Sequence, residues 1–199
     1  MLHPDLRLQW ISDAIGYGIF ASRPIPAGTI LWALDELDQV LPSETVRALG
    51  PRYQEILEHF GYRDEADRTV LCWDLGRYMN HSCDPNCIGP GHGRFDIAVR
   101  EIGAGVEVTT DYACLNIERA MTCRCGSASC RGRVREEDIE AISGQLDAQL
   151  RRALARIFDS PQPLLEWIDP QLLRQSVEQP EHSPSVLALI QPSTRRGVA

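Results

Sequence analysis

Lysine is absent from this 199-residue chain: all twenty of its basic side chains are arginine, so it has no side-chain amine of its own. That composition is expected of GC-rich, bacterial coding. Long apolar runs are also lacking, none approaching the ~20 residues that a membrane span requires. Asp5, Arg7 and Asp13 fall where a signal peptide would be apolar. The expectation is a cytoplasmic protein with no membrane partner. In such a reducing compartment its seven cysteines would bind metal or lie buried rather than form disulfides. Positive charge is in deficit as well, 28 acidic against 20 basic side chains for a net charge of −8. This argues against direct nucleic-acid binding and for a basic partner.

What is present suits a globular chain. Apolar residues make up 43% and charged residues 24%, which excludes disorder throughout, a collagen and a disulfide miniprotein. The length allows one domain and an appendage. Alternation from Leu6 to Trp10 predicts a first strand ending near Asp13. Arg23 to Ile30 is echoed by Arg100 to Glu107, and both read as turns of similar hairpins with glycine at the bend. Between Pro42 and Phe60 the apolar spacing becomes helical, with Pro51 suited to open a helix. Strand signals return at Thr69 to Trp73 and at Phe95, Ile97 and Val99. The first 115 residues are therefore mainly β, with α additions.

From Glu136 to Phe158 a single stripe of Ile139, Ile142, Leu146, Leu150, Leu154 and Ile157 predicts a long helix. Acids occupy its first turn and arginines its last. Its apolar face must cover either the β domain or a second copy of the chain, so a homodimer through helix 136–158 is one expectation. Beyond Asp159 the chain is proline-rich, and Pro192 to Ala199 lacks core formers and is expected to be mobile.

Three segments carry chemistry. Gly16-Tyr17-Gly18-Ile19-Phe20-Ala21 fits a dinucleotide fingerprint, but that reading needs a helix, and Pro24 and Pro26 forbid one. A tight glycine loop beside a strand remains, able to bring backbone close to a ligand. Cys123-x-Cys125-x4-Cys130 sets three thiols within eight residues. Structural zinc needs four ligands, so a distant segment must complete the set, with Cys83 and Cys87 the leading candidates. Arg77-Tyr78-Met79-Asn80-His81-Ser82-Cys83-Asp84-Pro85-Asn86-Cys87 crowds polar, aromatic and thiol groups into a non-periodic loop, and Asp111-Tyr112 precedes the cysteine cluster.

In that order, Gly16-x-Gly18, Asn80-His81-Ser82-Cys83-x-Pro85-Asn86, Asp111-Tyr112 and Cys123-x-Cys125-x4-Cys130, the chain resembles SET-domain protein-lysine methyltransferases with a post-SET zinc motif. The resemblance covers about residues 5–134. It implies a SET domain at 5–117 with a variable insert at about 42–68, a post-SET zinc segment at 118–134, and a C-terminal helix and tail at 135–199. The implied fold is a SET β-fold with a pseudoknot, in which the Asn80-His81 segment is threaded beside Asp111-Tyr112.

S-adenosylmethionine would contact Gly16, Tyr17, Gly18, Arg77, Asn80, His81 and Tyr112, with Tyr112 catalytic. Cys83, Cys123, Cys125 and Cys130 would hold a structural zinc. The implied activity is methyl transfer to a lysine ε-amine of a basic protein. A zinc-holding binding module without catalysis and a methyltransferase acting on a peptide natural product or small amine are the alternatives. Asp64, Glu65, Asp67, Asp35, Glu36 and Asp38 would steer a lysine-rich substrate. Thr110 stands where relatives commonly carry an aromatic residue, leaving the number of methyl groups open.

Overall fold

The alternation that starts at Leu6 forms strand β1 (Leu6–Ser12), followed by β2 (Gly16–Ala21), β3 (Ile30–Ala33) and β4 (Gln39–Leu41). Two helices come next, α1 (Ser43–Ala48) and α2 (Pro51–Phe60), the second opened by Pro51 in its first turn. Then follow β5 (Gly61–Arg63), β6 (Thr69–Leu71), β7 (Asn80–His81), β8 (Cys87–Ile88), β9 (Phe95–Ala98) and β10 (Glu107–Thr110). The chain continues through β11 (Met121–Thr122), β12 (Arg133–Val134), α3 (Asp138–Leu154) and α4 (Pro170–Glu178). This computed structural model describes residues 1–91, 93–117, 119–178 and 185–189. The expectation of a mobile end at Pro192 to Ala199 lies outside them.

The strands form small sheets ordered β1-β2-β10-β7, β3-β9-β8, β4-β6-β5 and β11-β12. The two echoed turns do not close hairpins. β2 pairs with β1 and β10 while β3 pairs with β9, so Arg23–Ile30 crosses from one sheet to another, and Arg100–Glu107 crosses back from β9 to β10. The echo has a different physical basis: the turns bond each other reciprocally, Ile25 N to Ile102 O at 2.8 Å and Ile102 N to Ile25 O at 2.9 Å. Glycine at each bend adopts positive φ, +91° at Gly28 and +77° at Gly105.

The threading is set by one parallel pair, with Thr109 opposite Asn80 and Thr110 opposite His81. Asn86 locks it, its Nδ2 donating to Glu107 O at 2.8 Å and its Oδ1 accepting from Thr109 N at 2.9 Å. The architecture is mainly β with α additions, a threaded parallel pair and a C-terminal helix, as expected.

The stripe of α3 is spent within the chain. Ile139, Leu146, Leu150 and Leu154 pack with Ile30, Phe95 and Ile97 in one core. The surface expected to support a homodimer is therefore covered by the β domain, the cheaper solution once β9 presents Phe95 and Ile97 on that side. Gln162 extends the clamp, accepting from Ile30 N at 2.9 Å and donating to Gly28 O at 2.8 Å. No helix among the described residues is long and apolar enough to cross a membrane.

Candidate active site and thiol cluster

A cleft of about 1120 Å³ runs between the glycine loop and the insert helices. Gly16, Tyr17, Arg77, Asn80, Thr110 and Tyr112 line it. Gly16 has φ +84° with open space around its Cα, so the loop can turn there only with glycine. At Gly18 the requirement is closeness: a Cβ would lie 2.4 Å from Glu107 Oε1 and 2.9 Å from Asn80 Nδ2. Both Asn80 amide hydrogens are used in this packing, donated to Tyr17 O at 3.0 Å and Glu107 Oε1 at 2.8 Å. Asn80 thus fixes the glycine loop against β10.

Tyr17 and Tyr78 meet edge to face at 6.0 Å, and Tyr78 meets Phe60 at 5.4 Å. The Arg77 guanidinium stands 5.4 Å over the Tyr78 ring and 5.9 Å over Phe60, giving an aromatic wall topped by a cation. Tyr112 Oη donates to Met79 O at 2.9 Å. Burial first, and Glu107 second, push its phenol up to about 12, so the hydroxyl stays protonated at any physiological pH.

His81 stands behind Tyr112 rather than on the cleft wall. Its Nδ1 accepts from Tyr112 N at 3.1 Å, which puts the ring proton on Nε2. That proton faces Cys83 Sγ at 3.3 Å. Desolvation by burial holds the imidazole below its ordinary value, with Asp111 opposing and Arg131 adding, so the ring is neutral near pH 7.

Three of the four thiols expected to bind metal, Cys83, Cys123 and Cys125, converge, and Cys130 adjoins them through Cys123. Cys83 Sγ lies 3.8 Å from Cys123 Sγ, and Cys130 Sγ lies 3.7 Å from Cys123 Sγ. With metal–sulfur bonds of about 2.3 Å, a tetrahedral zinc site has sulfur–sulfur edges of about 3.8 Å, which these two separations match. The donor atoms of His81, Cys83, Cys123 and Cys125 lie within 4.8 Å of one another, which makes the imidazole a rival to Cys130 for the fourth place. The tautomer argues against it, because Nε2 carries a hydrogen toward sulfur instead of a lone pair toward an ion.

Backbone N–H groups stabilise thiolate: Cys83 N to Cys125 Sγ at 3.4 Å and Arg131 N to Cys83 Sγ at 3.4 Å. Against opposing desolvation, N–H groups of Cys83 and Ser127 hold the Cys125 thiol down to about 6. Cys87, the other candidate, is fully buried in a second core beside Met79 and Ala98.

Three side chains of the candidate site escaped the sequence. Arg131 clamps the buried Asp111 with two bonds of 2.7 and 2.8 Å, joining the thiol loop to the tyrosine turn. Glu107 anchors Asn80. Asp96 lines the cleft from β9, although the alternation of Phe95, Ile97 and Val99 marks it only as facing away from the core. Three of the six acids expected to steer a substrate are in ion pairs. Asp64 binds the Arg68 guanidinium at 2.6 Å, Asp67 binds Arg63 at 2.9 Å and Asp35 binds the N-terminal ammonium at 2.8 Å.

The threaded parallel pair, the glycine loop pinned to it and the tyrosine that follows all fall between residues 16 and 113. The SET domain model matches residues 16–113, and the chain belongs to the SET-domain family.

Among curated relatives, a histone-lysine N-methyltransferase specific for H3 lysine-36 from Cryptococcus neoformans is 30% identical over 139 residues, 62% of this chain and 16% of that protein. Drosophila melanogaster Set2, a histone-lysine N-methyltransferase, is 33% identical over 147 residues, 67% of this chain and 6% of its own length. Human SETD2, also a histone-lysine N-methyltransferase, is 26% identical over 179 residues, 82% of this chain and 7% of its own. The chain thus spans under a fifth of these relatives. A solved methyltransferase domain of human SETMAR is similar at a TM-score of 0.48 and 19% identity, covering 68% of this chain and 58% of that one.

Proposed function

We propose that the chain is an S-adenosylmethionine-dependent protein-lysine N-methyltransferase, with Tyr112 as the catalytic side chain and Cys83, Cys123, Cys125 and Cys130 as ligands of a structural zinc. The observation that carries this reading is the pairing of β7 with β10, which brings Asn80 and Tyr112 to the wall of one cleft. Curated relatives named as histone-lysine methyltransferases support it.

Bound S-adenosylmethionine supplies a sulfonium-activated methyl group to an amine lone pair. The chain's own groups fit such a cation bearing an amino acid and an adenosine. Tyr17 offers a ring to positive charge, Arg77, stacked on Tyr78 and Phe60, a guanidinium to a carboxylate, and Asn80 its Oδ1 to an ammonium. The cleft's volume exceeds that of ordinary small-molecule sites, about 300–1,000 Å³, leaving room for an acceptor side chain.

Free lysine titrates at about 10.4. Desolvation in the cleft beside a cation lowers that value, so the proton leaves to water without a dedicated base. Tyr112 Oη, fixed through Met79 O, would orient the amine, the contribution that converts an encounter into an in-line approach. The thiol loop would close over this cleft, the zinc acting as a staple and taking no part in the transfer.

The test is to incubate the chain with labelled S-adenosylmethionine and a lysine-rich protein mixture, comparing wild type with Tyr112→Phe. Labelled protein lysines are expected, with the rate falling by about a hundredfold or more in the variant. Background is low because the chain has no lysine of its own. No transfer by folded, zinc-loaded wild type to any acceptor would leave a binding module. Transfer confined to small amines or peptide natural products would reassign the acceptor.

A further inference from the structure

Asp96 is a carboxylate with nothing to do in the fold. It forms no ion pair or hydrogen bond among the described residues, and burial alone pushes it up to about 7. The acids around it behave differently, since Asp35 and Asp74 hold the N-terminal ammonium and Asp38 accepts from the Trp73 and Asp35 backbones. Asp96 is half-buried on the cleft wall, and a carboxylate drawn partly out of water without a partner carries a cost. Its retention in the wall of a cleft asks for a ligand.

The surroundings say which ligand. A bulge in β3 shifts the register so that Ile30 faces Ile97 but Trp32, two residues on, faces Asp96. Residues directly opposite in an antiparallel pair share a face, and bulges re-aim side chains beside functional sites. Tyr62 of β5 stands edge-on to Trp32 with ring centres 6.1 Å apart. Trp32, Tyr62 and Asp96 all line the cleft that Tyr112 lines.

Two glycines keep this corner open. A Cβ on Gly89 would lie 2.4 Å from Asp96 Oδ1, and one on Gly76 would lie 2.8 Å from the Trp32 ring. Carboxylate oxygen beside two aromatic rings is the chemistry that holds an organic cation. Trp32 Nε1, buried and without an acceptor among the described residues, adds a donor suited to a carbonyl. A cation and a carbonyl together describe a basic residue within a peptide.

We infer that Asp96, Trp32 and Tyr62 form a subsite for a basic side chain flanking the target lysine of the acceptor protein. The inference deepens the methyltransferase reading and rests on it for the identity of the acceptor. Asp96 is here a specificity residue, and Tyr112 remains the catalytic one.

The experiment uses peptides with one constant target lysine and, at a single flanking position scanned in turn, arginine, lysine, citrulline or norleucine. Binding is read by fluorescence anisotropy with wild type and Asp96→Asn, and methylation is read in parallel. At one flanking position wild type is expected to bind the arginine or lysine peptide roughly tenfold more tightly than its uncharged counterpart. The arginine and lysine arms tell which cation is preferred. Asp96→Asn is expected to bind charged and uncharged peptides equally at that position.

An unchanged preference in Asp96→Asn overturns the inference. So does a uniform weakening of every peptide, which would mean that the carboxylate reads the target amine itself. If wild type methylates nothing, the methyltransferase reading fails, while the anisotropy series still decides the subsite. Urea unfolding at pH 8 checks that the variant is folded.

Discussion

Asp96 is where a residue's cost to the fold and its use to a ligand separate most clearly. Its carboxyl, ordinarily near 3.8, is raised to about 7 by burial in the folded chain. A raised carboxyl favours the folded state while protonated, so its contribution is complete below about 3.8 and is lost as pH rises through about 7. Asp96→Asn removes the titrating group but keeps the shape. The variant's urea midpoint should exceed that of wild type above pH 7, with the gap closing toward pH 4. Parallel stability curves across that range would show that solvent reaches the carboxylate. A variant more stable yet less selective is the signature of a side chain kept for binding.

At the scale of elements, the thiol loop is held by two kinds of bond. Arg131 ties it to Asp111, Cys123 and Cys125 lie against Cys83 of the other segment, and Cys130 lies against Cys123. Metal content per chain, measured on purified protein, should fall roughly fivefold or more in Cys125→Ser and in Cys130→Ser, since three ligands cannot close a structural site. Cys87→Ser should keep its metal, as that thiol sits in a separate core. His81→Gln is the discriminating variant. Metal retained there, with loss in Cys130→Ser, supports four thiolates, and the reverse result puts the imidazole in the fourth place.

Spacing made this cluster readable, because three thiols in eight residues have few uses other than an ion. The glycine loop, Asn80 and Tyr112 were readable as an ordered set. Arg131 and Asp96 were not, for physical reasons. An arginine's partner is fixed by tertiary contact, and a strand's outward face does not reveal whether it meets solvent or a cleft. The echoed turns misled in the same way. Glycine and proline spacing encodes a bend, but which strands flank it is decided by pairing partners far along the chain.

For the whole molecule, the question is how far the C-terminal segment stabilises the β domain that bears the cleft. α3 covers the core side of β9, and the opposite face of that strand carries Asp96, so docking of the helix sets the wall of the cleft. The predicted stripe was legible because its period is helical over many turns; its partner surface was not, since sequence alone cannot say whether a face meets its own chain or another.

Gly28 measures the docking. Its φ of +91° matches the +77° of Gly105 in the echoed turn, but a Cβ at Gly28 would lie 2.8 Å from Arg156 O, whereas Gly105 has open space. Gly105→Ala should cost only the backbone penalty, about 1–2 kcal/mol. Gly28→Ala adds a collision with backbone just past the end of α3 and should cost about 2–4 kcal/mol, read by urea unfolding. Equal losses in the two variants would mean that the helix yields at little cost and that the β domain holds its cleft without it. A larger loss at Gly28, accompanied by weaker peptide binding in the anisotropy series, would make helix and cleft one cooperative unit.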